Sequence, residues 1–254
     1  MRPESPVFPG CLLLRLRLFG TNVSFQPNIT APDSTMPHHT SSRVTPLLRA
    51  TGLAFAWLLA VSCDDSGGGG GKSKDIGENR AGVVLAMGDS ITNGGCHPAG
   101  APYPARLAGL RGKTVINEGD CGETAAEGAR RVVGELETHK PETLLLLYGA
   151  NDMIQSRGSE SAINGLRAMI QSGKARKTRV VVATVMPMYD SHEIFNGSVT
   201  ALNPQIIALA KAEKVSIVNL SKEFGTRREL IQEDGLHPSD AGTQIIAAAF
   251  ADKL

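Results

Sequence analysis

The feature that most constrains this chain is the run Val83-Val84-Leu85-Ala86-Met87, which stops abruptly at Gly88-Asp89-Ser90. The run has the composition of a buried β-strand, so Ser90 is placed just past a strand end. In an open α/β sheet that rim is where ligands bind. A second run, Thr143–Tyr148, is almost purely apolar, the mark of a strand covered on both faces.

Strands are predicted over Ala81–Met87, Thr114–Glu118, Thr143–Tyr148, Arg179–Met186 and Val215–Leu220. Helical spacing predicts helices over Tyr103–Leu110, Thr124–His139, Ser161–Gln171 and Leu202–Ala212, with a closing helix over Pro238–Leu254. Val132, Val133 and Leu136 are expected on one buried helical face, and Pro238 in the first turn of the last helix. Strands alternating with helices imply an α/β fold: a parallel sheet covered on both sides, with right-handed crossovers.

The chain of 254 residues, 41% apolar, is long enough for one sizeable core plus appendages. Its net charge of +1 and the lack of a basic stripe argue against nucleic acid as a partner. Neither the four cysteines nor the six histidines show metal-ligand spacing.

The chain is read in four segments. Residues 1–35, broken by Pro3, Pro6, Pro9, Pro27 and Pro32, read as a non-native or disordered extension, with the translated start expected at Met36. Residues 36–63 read as an export signal: Arg43 and Arg49 flank an apolar stretch from Gly52 to Ala60 that is too short to span a bilayer. Ala60-Val61-Ser62-Cys63 resembles the lipobox of bacterial lipoproteins, which implies lipidation of Cys63, although that motif prefers Leu where Ala60 stands. Conventional cleavage just before Cys63 fits the small residues equally well. Residues 64–78, with the run Gly67–Gly71, read as a flexible tether, and residues 79–254 as the folded domain. The expected location is outside the cytoplasm: periplasmic, or anchored to a membrane through Cys63.

Four short motifs fall where strands end or helices begin: Gly88-Asp89-Ser90, Asn117 through Thr124, Gly149-Ala150-Asn151-Asp152, and Asp234-Gly235-Leu236-His237. Alone, each has a structural explanation: a turn, a helix cap or a loop hydrogen bond. Together they supply what a nucleophilic serine needs. A serine hydroxyl reacts only when a base takes its proton. His237 is poised to do so near neutral pH, and Asp234, three residues earlier, can accept its Nδ1–H. Asp89 and Asp152 are expected to organise loops, and Glu118, Asp120 and Glu123 to be solvated.

The motifs and their order resemble the SGNH hydrolases, the GDSL esterase/lipase family, over essentially all of residues 79–254. The Leu usual after Gly-Asp-Ser is Ile91 here. The resemblance implies a three-layer α/β/α sandwich around a flavodoxin-like, five-stranded parallel sheet. It implies Ser90 as nucleophile, His237 as base and Asp234 as its orienting partner. The oxyanion would be held by the Ser90 and Gly122 N–H groups and the Asn151 side-chain amide. The implied activity is hydrolysis of short- to medium-chain carboxylic esters, in the arylesterase, lysophospholipase and thioesterase-like branch, with small-molecule, lipid or glycan esters as substrates. A carbohydrate O-acetylesterase would use the same residues, and an anchored binding module with a residual triad is the non-enzymatic alternative. This chemistry requires neither cofactor nor metal.

Three further expectations concern the rim. The segment Pro187–Ser198 is long for a connection and is expected to be a loop lining the substrate pocket with Met188, Tyr189, Ile194 and Phe195. Cys96 and Cys121 lie in two rim loops and are expected to form a disulfide if the protein is exported, with two free thiols as the alternative. Such a bridge would contribute about 3–4 kcal/mol by the chain-entropy argument. His97 has no partner evident in the sequence, and His192 falls in the long loop.

Overall fold

The computed structural model describes residues 75–254. The extension, the signal-like segment with Cys63, and most of the glycine-rich tether lie outside the described residues.

Along the chain, β1 (Arg80–Gly88) leads through α1 (Ser90–Asn93) and α2 (Tyr103–Arg111) to β2 (Thr114–Gly119) and α3 (Ala125–His139). Then follow β3 (Pro141–Leu147), α4 (Ala150–Ile154), α5 (Gly158–Ala175) and β4 (Arg179–Ala183). The chain ends with α6 (Asn196–Glu213), β5 (Ser216–Val218), α7 (Leu220–Phe224) and α8 (Asp240–Ala251). The five strands form one parallel sheet in the order β2-β1-β3-β4-β5. Because β2 lies to one side of β1 and β3 to the other, the connections diverge at β1/β3, where a crevice opens at the strand ends.

The two-residue period of the strands divides their side chains between two cores. Leu85, Met87, Leu144, Leu146, Val180 and Val182 face α3, α5 and α6, meeting Leu136, Leu166, Met169 and Ile206. Their neighbours Val84, Ala86, Leu145, Leu147, Val181 and Ala183 face α2, α7 and α8, meeting Tyr103, Phe224 and Phe250. Each fully buried aliphatic side chain contributes about 1.5–3 kcal/mol. No helix among the described residues is long and apolar enough to cross a membrane.

Several boundaries differ from expectation, each for a local reason. Val133 is 40% exposed while Val132 and Leu136 are buried, so the apolar stripe of α3 is narrower than predicted. The strand expected to reach Met186 ends at Ala183, and the buried Asn203 side chain pairs with the backbone N–H and C=O of Val185 in place of a ladder. The segment expected as a loop over Pro187–Ser198 contains a 3₁₀ helix, Asp190–Phe195, that runs directly into α6. The last helix begins at Asp240 with Ser239 as its N-cap, its hydroxyl accepting from Gly242 N–H; Pro238 lies before it, bridged to Ile231. The short helices α1 and α4 carry too few residues to show a period.

α5 crosses α3 so closely that a Cβ on Gly165 would lie 2.5 Å from the Ala125 carbonyl group. Gly165→Ala is therefore expected to destabilise the fold by about 1–3 kcal/mol in urea titration. Gly134, exposed within α3 with open space around it, provides the contrast. Gly134→Ala should stabilise by about 0.5–1 kcal/mol. Equal effects of the two changes would refute this account of the α3/α5 crossing.

Candidate active site

The site is built on the level ends of three strands. Gly88 at the end of β1 pairs with Gly119 of β2 on one side and Leu147 of β3 on the other. The chain leaves all three at the same height, so Ser90, the Asp120–Glu123 turn and Asn151 emerge side by side. Gly88 is required by close approach: a Cβ there would lie 2.0 Å from Thr92 Oγ1 and 2.7 Å from Leu147 O. Asp89 then caps α1, its Oδ1 accepting from Ile91 N–H at 2.9 Å, and Ser90 opens the helix.

His237 arrives from the far end of the chain, on the turn before α8. Its Nε2 lies 2.8 Å from Ser90 Oγ and its Nδ1 2.5 Å from Asp234 Oδ2. Asp234 also accepts from the backbone N–H groups of Leu236 and His237 through Oδ1, at 2.9 and 3.0 Å. Burial alone would raise the Asp234 pKa, but these two N–H groups and the His237 ring outweigh it and hold the carboxyl below its ordinary range. Burial pushes the His237 pKa down; Asp234 opposes this, and the nearby His97 and His192 reinforce it. The imidazole therefore stays neutral, with Nε2 free to accept, to a lower pH than an ordinary histidine.

Asn151, in the first turn of α4, donates through Nδ2 to Asp89 Oδ2 and to the Glu123 carbonyl, both at 3.2 Å. Gly122 has φ +80, a conformation in which a side chain would be strained, although the space beside it is open. Backbone conformation, not crowding, demands glycine here. Gln155 Nε2 donates to the Gly122 carbonyl at 2.8 Å and fixes that peptide plane. Cys96 and Cys121 are joined in a disulfide, with Cα atoms 6.4 Å apart, tying the loop after α1 to the Gly122 turn.

Two buried aspartates hold this arrangement. Burial, reinforced by the Asp152 and Glu123 carboxylates, pushes the Asp89 pKa up to about 7. Asp152 accepts from Ala125 N–H at 3.0 Å; its Oδ1 is buried without a partner, and burial raises its pKa. Both organise loops, as the sequence implied.

Glu123 does not stay solvated as expected. It is buried, accepts a forked pair of hydrogen bonds from Arg131 at 2.7 Å each, and accepts from Tyr148 Oη at 2.8 Å. Glu118 is likewise only partly exposed, 3.2 Å from His139 Nε2. Nothing in the local sequence signals the Tyr148 and His139 contacts, because each joins two different segments of the chain.

The expected pocket residues lie elsewhere. Met188 is buried in the first core, Ile194 is 81% exposed, Phe195 packs onto the first core and Tyr189 onto the second. None lines the cavity at Ser90. That cavity is small, about 250 Å³ with its open mouth included, and is walled by Ile91, Gly94, His97, the 99–102 loop, His237, Pro238 and Thr243.

No partner for His97 is evident along the chain, yet its ring stacks on His237, with centroids 3.7 Å apart and planes inclined by 13°. His192 Nδ1 lies 2.8 Å from the Asp234 carbonyl oxygen. His97, Asp234 and His237 bring three ligand atoms together. The stacked rings nevertheless direct their nitrogen lone pairs along parallel planes, which do not converge on one tetrahedral ion. Glu118, Glu135 and His139 form a second such group, with the Arg131 guanidinium 3.9 Å from Glu118 and 3.3 Å from Glu135.

Comparison with known proteins bears on the family and the fold. Residues 86–245 match the model of the GDSL-like lipase/acylhydrolase family. An arylesterase of Vibrio mimicus is 26% identical over 177 residues, covering 67% of this chain and 87% of that protein. The structure of a lipase/acylhydrolase from Enterococcus faecalis superposes with a TM-score of 0.59 at 24% identity, covering 67% of this chain and 94% of that one. An acetylxylan esterase from Geobacillus stearothermophilus gives 0.60 at 20% identity, covering 68% and 94%. These solved structures share the fold.

Asp89 holds its proton to about pH 7 in the folded state, whereas the unfolded carboxyl loses it near 4. Between those values the native state binds more protons, so this group's contribution to stability is full below pH 4 and is lost as pH rises through 7. Asp89→Asn is expected to flatten the fall in Tm across that window. An unchanged slope would refute the assignment.

Proposed function

The chain belongs to the GDSL-like lipase/acylhydrolase family, and on that premise we propose that it is a serine esterase acting through Ser90 on esters with short acyl groups. The observation that carries this reading is the continuous hydrogen-bonded line from Ser90 Oγ through the His237 ring to Asp234.

In the proposed reaction His237 Nε2 takes the Ser90 proton as Oγ adds to the ester carbonyl carbon. The carbonyl π electrons move onto oxygen. Asp234 holds the resulting imidazolium through Nδ1 and keeps the ring in the tautomer that presents Nε2. The oxyanion is received by the Ser90 and Gly122 N–H groups and by Asn151 Nδ2, which gives up one of its two present acceptors. Losing one such donor typically costs about 3–4 kcal/mol of transition-state stabilisation. Collapse expels the alcohol, which takes the proton from His237. Water, deprotonated by the same nitrogen, then attacks the acyl-enzyme and releases the acid and Ser90.

Short acyl chains are proposed from the small free volume on the His97 side of Ser90, where Ile91, Gly94, His97 and His237 wall the cavity. The same observation supports a second reading within the class, removal of O-acetyl groups from carbohydrates, with the sugar as leaving group outside the cavity.

The test is hydrolysis of p-nitrophenyl esters from acetate to dodecanoate, with Ser90→Ala as reference. Turnover is expected to peak at acetate to butyrate, to vanish in Ser90→Ala, and to rise with pH along a limb lying below the ordinary imidazole range, near 6.5. A peak at octanoate or beyond overturns the short-acyl reading. No Ser90-dependent turnover on any ester overturns the esterase and favours a binding module. Release of acetate from O-acetylated xylan oligosaccharides tests the second reading, and no release from them overturns it.

Export and tethering through Cys63 are part of the same proposal. They are supported by the signal-like composition of residues 36–63 and the glycine run after it, and by the Cys96–Cys121 bridge, a feature of oxidising compartments. The mature protein should then begin at Cys63 and, lacking Trp57, show only tyrosine emission. An intact mass that retains Trp57 overturns this.

A further inference from the structure

We propose that His97 is a positioning residue for His237, covering one face of the base and sharing its carboxylate partner. The proposal rests on the reading of His237 as the base.

Four observations carry it. The two imidazoles stack face to face, 3.7 Å between centroids. His237 is 5% exposed although it lies at the mouth of the cavity, and the ring that shields it belongs to His97, whose side chain is 50% exposed. His97 Nδ1 is 3.7 Å from Asp234 Oδ2, the oxygen that His237 already engages at 2.5 Å. The His97 backbone is anchored from both sides. Cys96, just before it, is bonded to Cys121 beside Gly122, and the His97 carbonyl accepts from Gln232 Nε2 at 3.1 Å. Pro98, just after it, restricts the chain further. One residue is thereby fixed against both the oxyanion turn and the turn that carries the base.

Two consequences follow from the charge state of His97. Neutral, it excludes water from His237 and restricts rotation of that ring. Protonated, it places a cation against His237 and beside Asp234, so a second positive charge on His237 is disfavoured. The titratable groups facing His237 are Asp234 on its own turn, His97 on the loop after α1 and His192 on the 3₁₀ helix, with the Ser90 hydroxyl from α1. Those facing His97 are His237 and Asp234. The lowered pKa of His237, to which both neighbouring histidines contribute, agrees with this arrangement.

The test uses the full chain and pH profiles of kcat and KM on p-nitrophenyl acetate, comparing the wild type with His97→Phe and His97→Ala. Phenylalanine keeps the stacked ring without the charge. His97→Phe should hold kcat within about twofold at pH 8 and move the acid limb of kcat upward, because the imidazole whose charge interaction lowers the His237 pKa is gone. His97→Ala loses the restraint as well, and its kcat should fall about tenfold with little change in KM. A merely structural role would move neither the limb nor the split between kcat and KM. Wild-type kcat in His97→Ala together with an unmoved limb in His97→Phe overturns the proposal. If His97→Ala fails to fold, the limb in His97→Phe decides alone. Ser90→Ala, run in parallel, separates the two failures: residual activity there overturns the Ser90 nucleophile and with it the reading on which the role of His97 rests, whereas an inactive Ser90→Ala beside unaffected His97 variants overturns only the role of His97.

Discussion

The site depends on how tightly the chain turns at Gly88. β1 ends level with Gly119 and Leu147, and α1 folds back so closely that Thr92 Oγ1 occupies the place of a Cβ. That turn keeps Ser90 at the rim, beside the ends of β2 and β3. Asp89, held between Ile91 N–H and Asn151 Nδ2, couples this turn to the end of β3. Ser90, Gly122 and Asn151, the proposed nucleophile and oxyanion donors, are thus set by sheet geometry, and only His237, the proposed base, has to be delivered from elsewhere.

Beneath the rim, three carboxyl groups are buried and each is given a separate task. Asp89 orients Asn151, Asp152 anchors the start of α3 through Ala125 N–H, and Glu123 binds Arg131 and Tyr148. Breaking a buried ion pair by removing one partner typically costs about 3–5 kcal/mol, because the remaining charge is stranded. The Gly122 turn is therefore held by its flank at Glu123, by Gln155 and by the disulfide at Cys121. A donor held this firmly has little reorganisation left to undergo as charge develops on the substrate, which is the condition for effective oxyanion stabilisation.

Much of this was legible in the chain. The strands at Val83 and Thr143 declare themselves by continuous apolar composition. Ser90, Gly122, Asn151, Asp234 and His237 stand in short motifs whose order matches the family. What could not be read has a common cause. Glu123, just before α3, and Arg131, eight residues later within it, meet Tyr148 only after α3 has packed onto the sheet. His97 gains its partner only when a segment about 140 residues later closes over it. The segment from Met188 to Phe195 mixes aromatic and polar residues like a pocket wall, but its apolar members are divided between two cores and solvent. Composition records that a side chain will be buried, not against what.

The sequence alone determined the alternation of strands and helices, the placing of polar motifs at strand ends, and the residue types required for acyl transfer, because these follow from periodicity and chemistry along a continuous stretch. Only the tertiary structure decided the small volume left at Ser90, the burial of Glu123, and the stacking of His97 on His237. Each is a relation between segments distant in the chain, set by crossing geometry and strand register, and no local pattern encodes it.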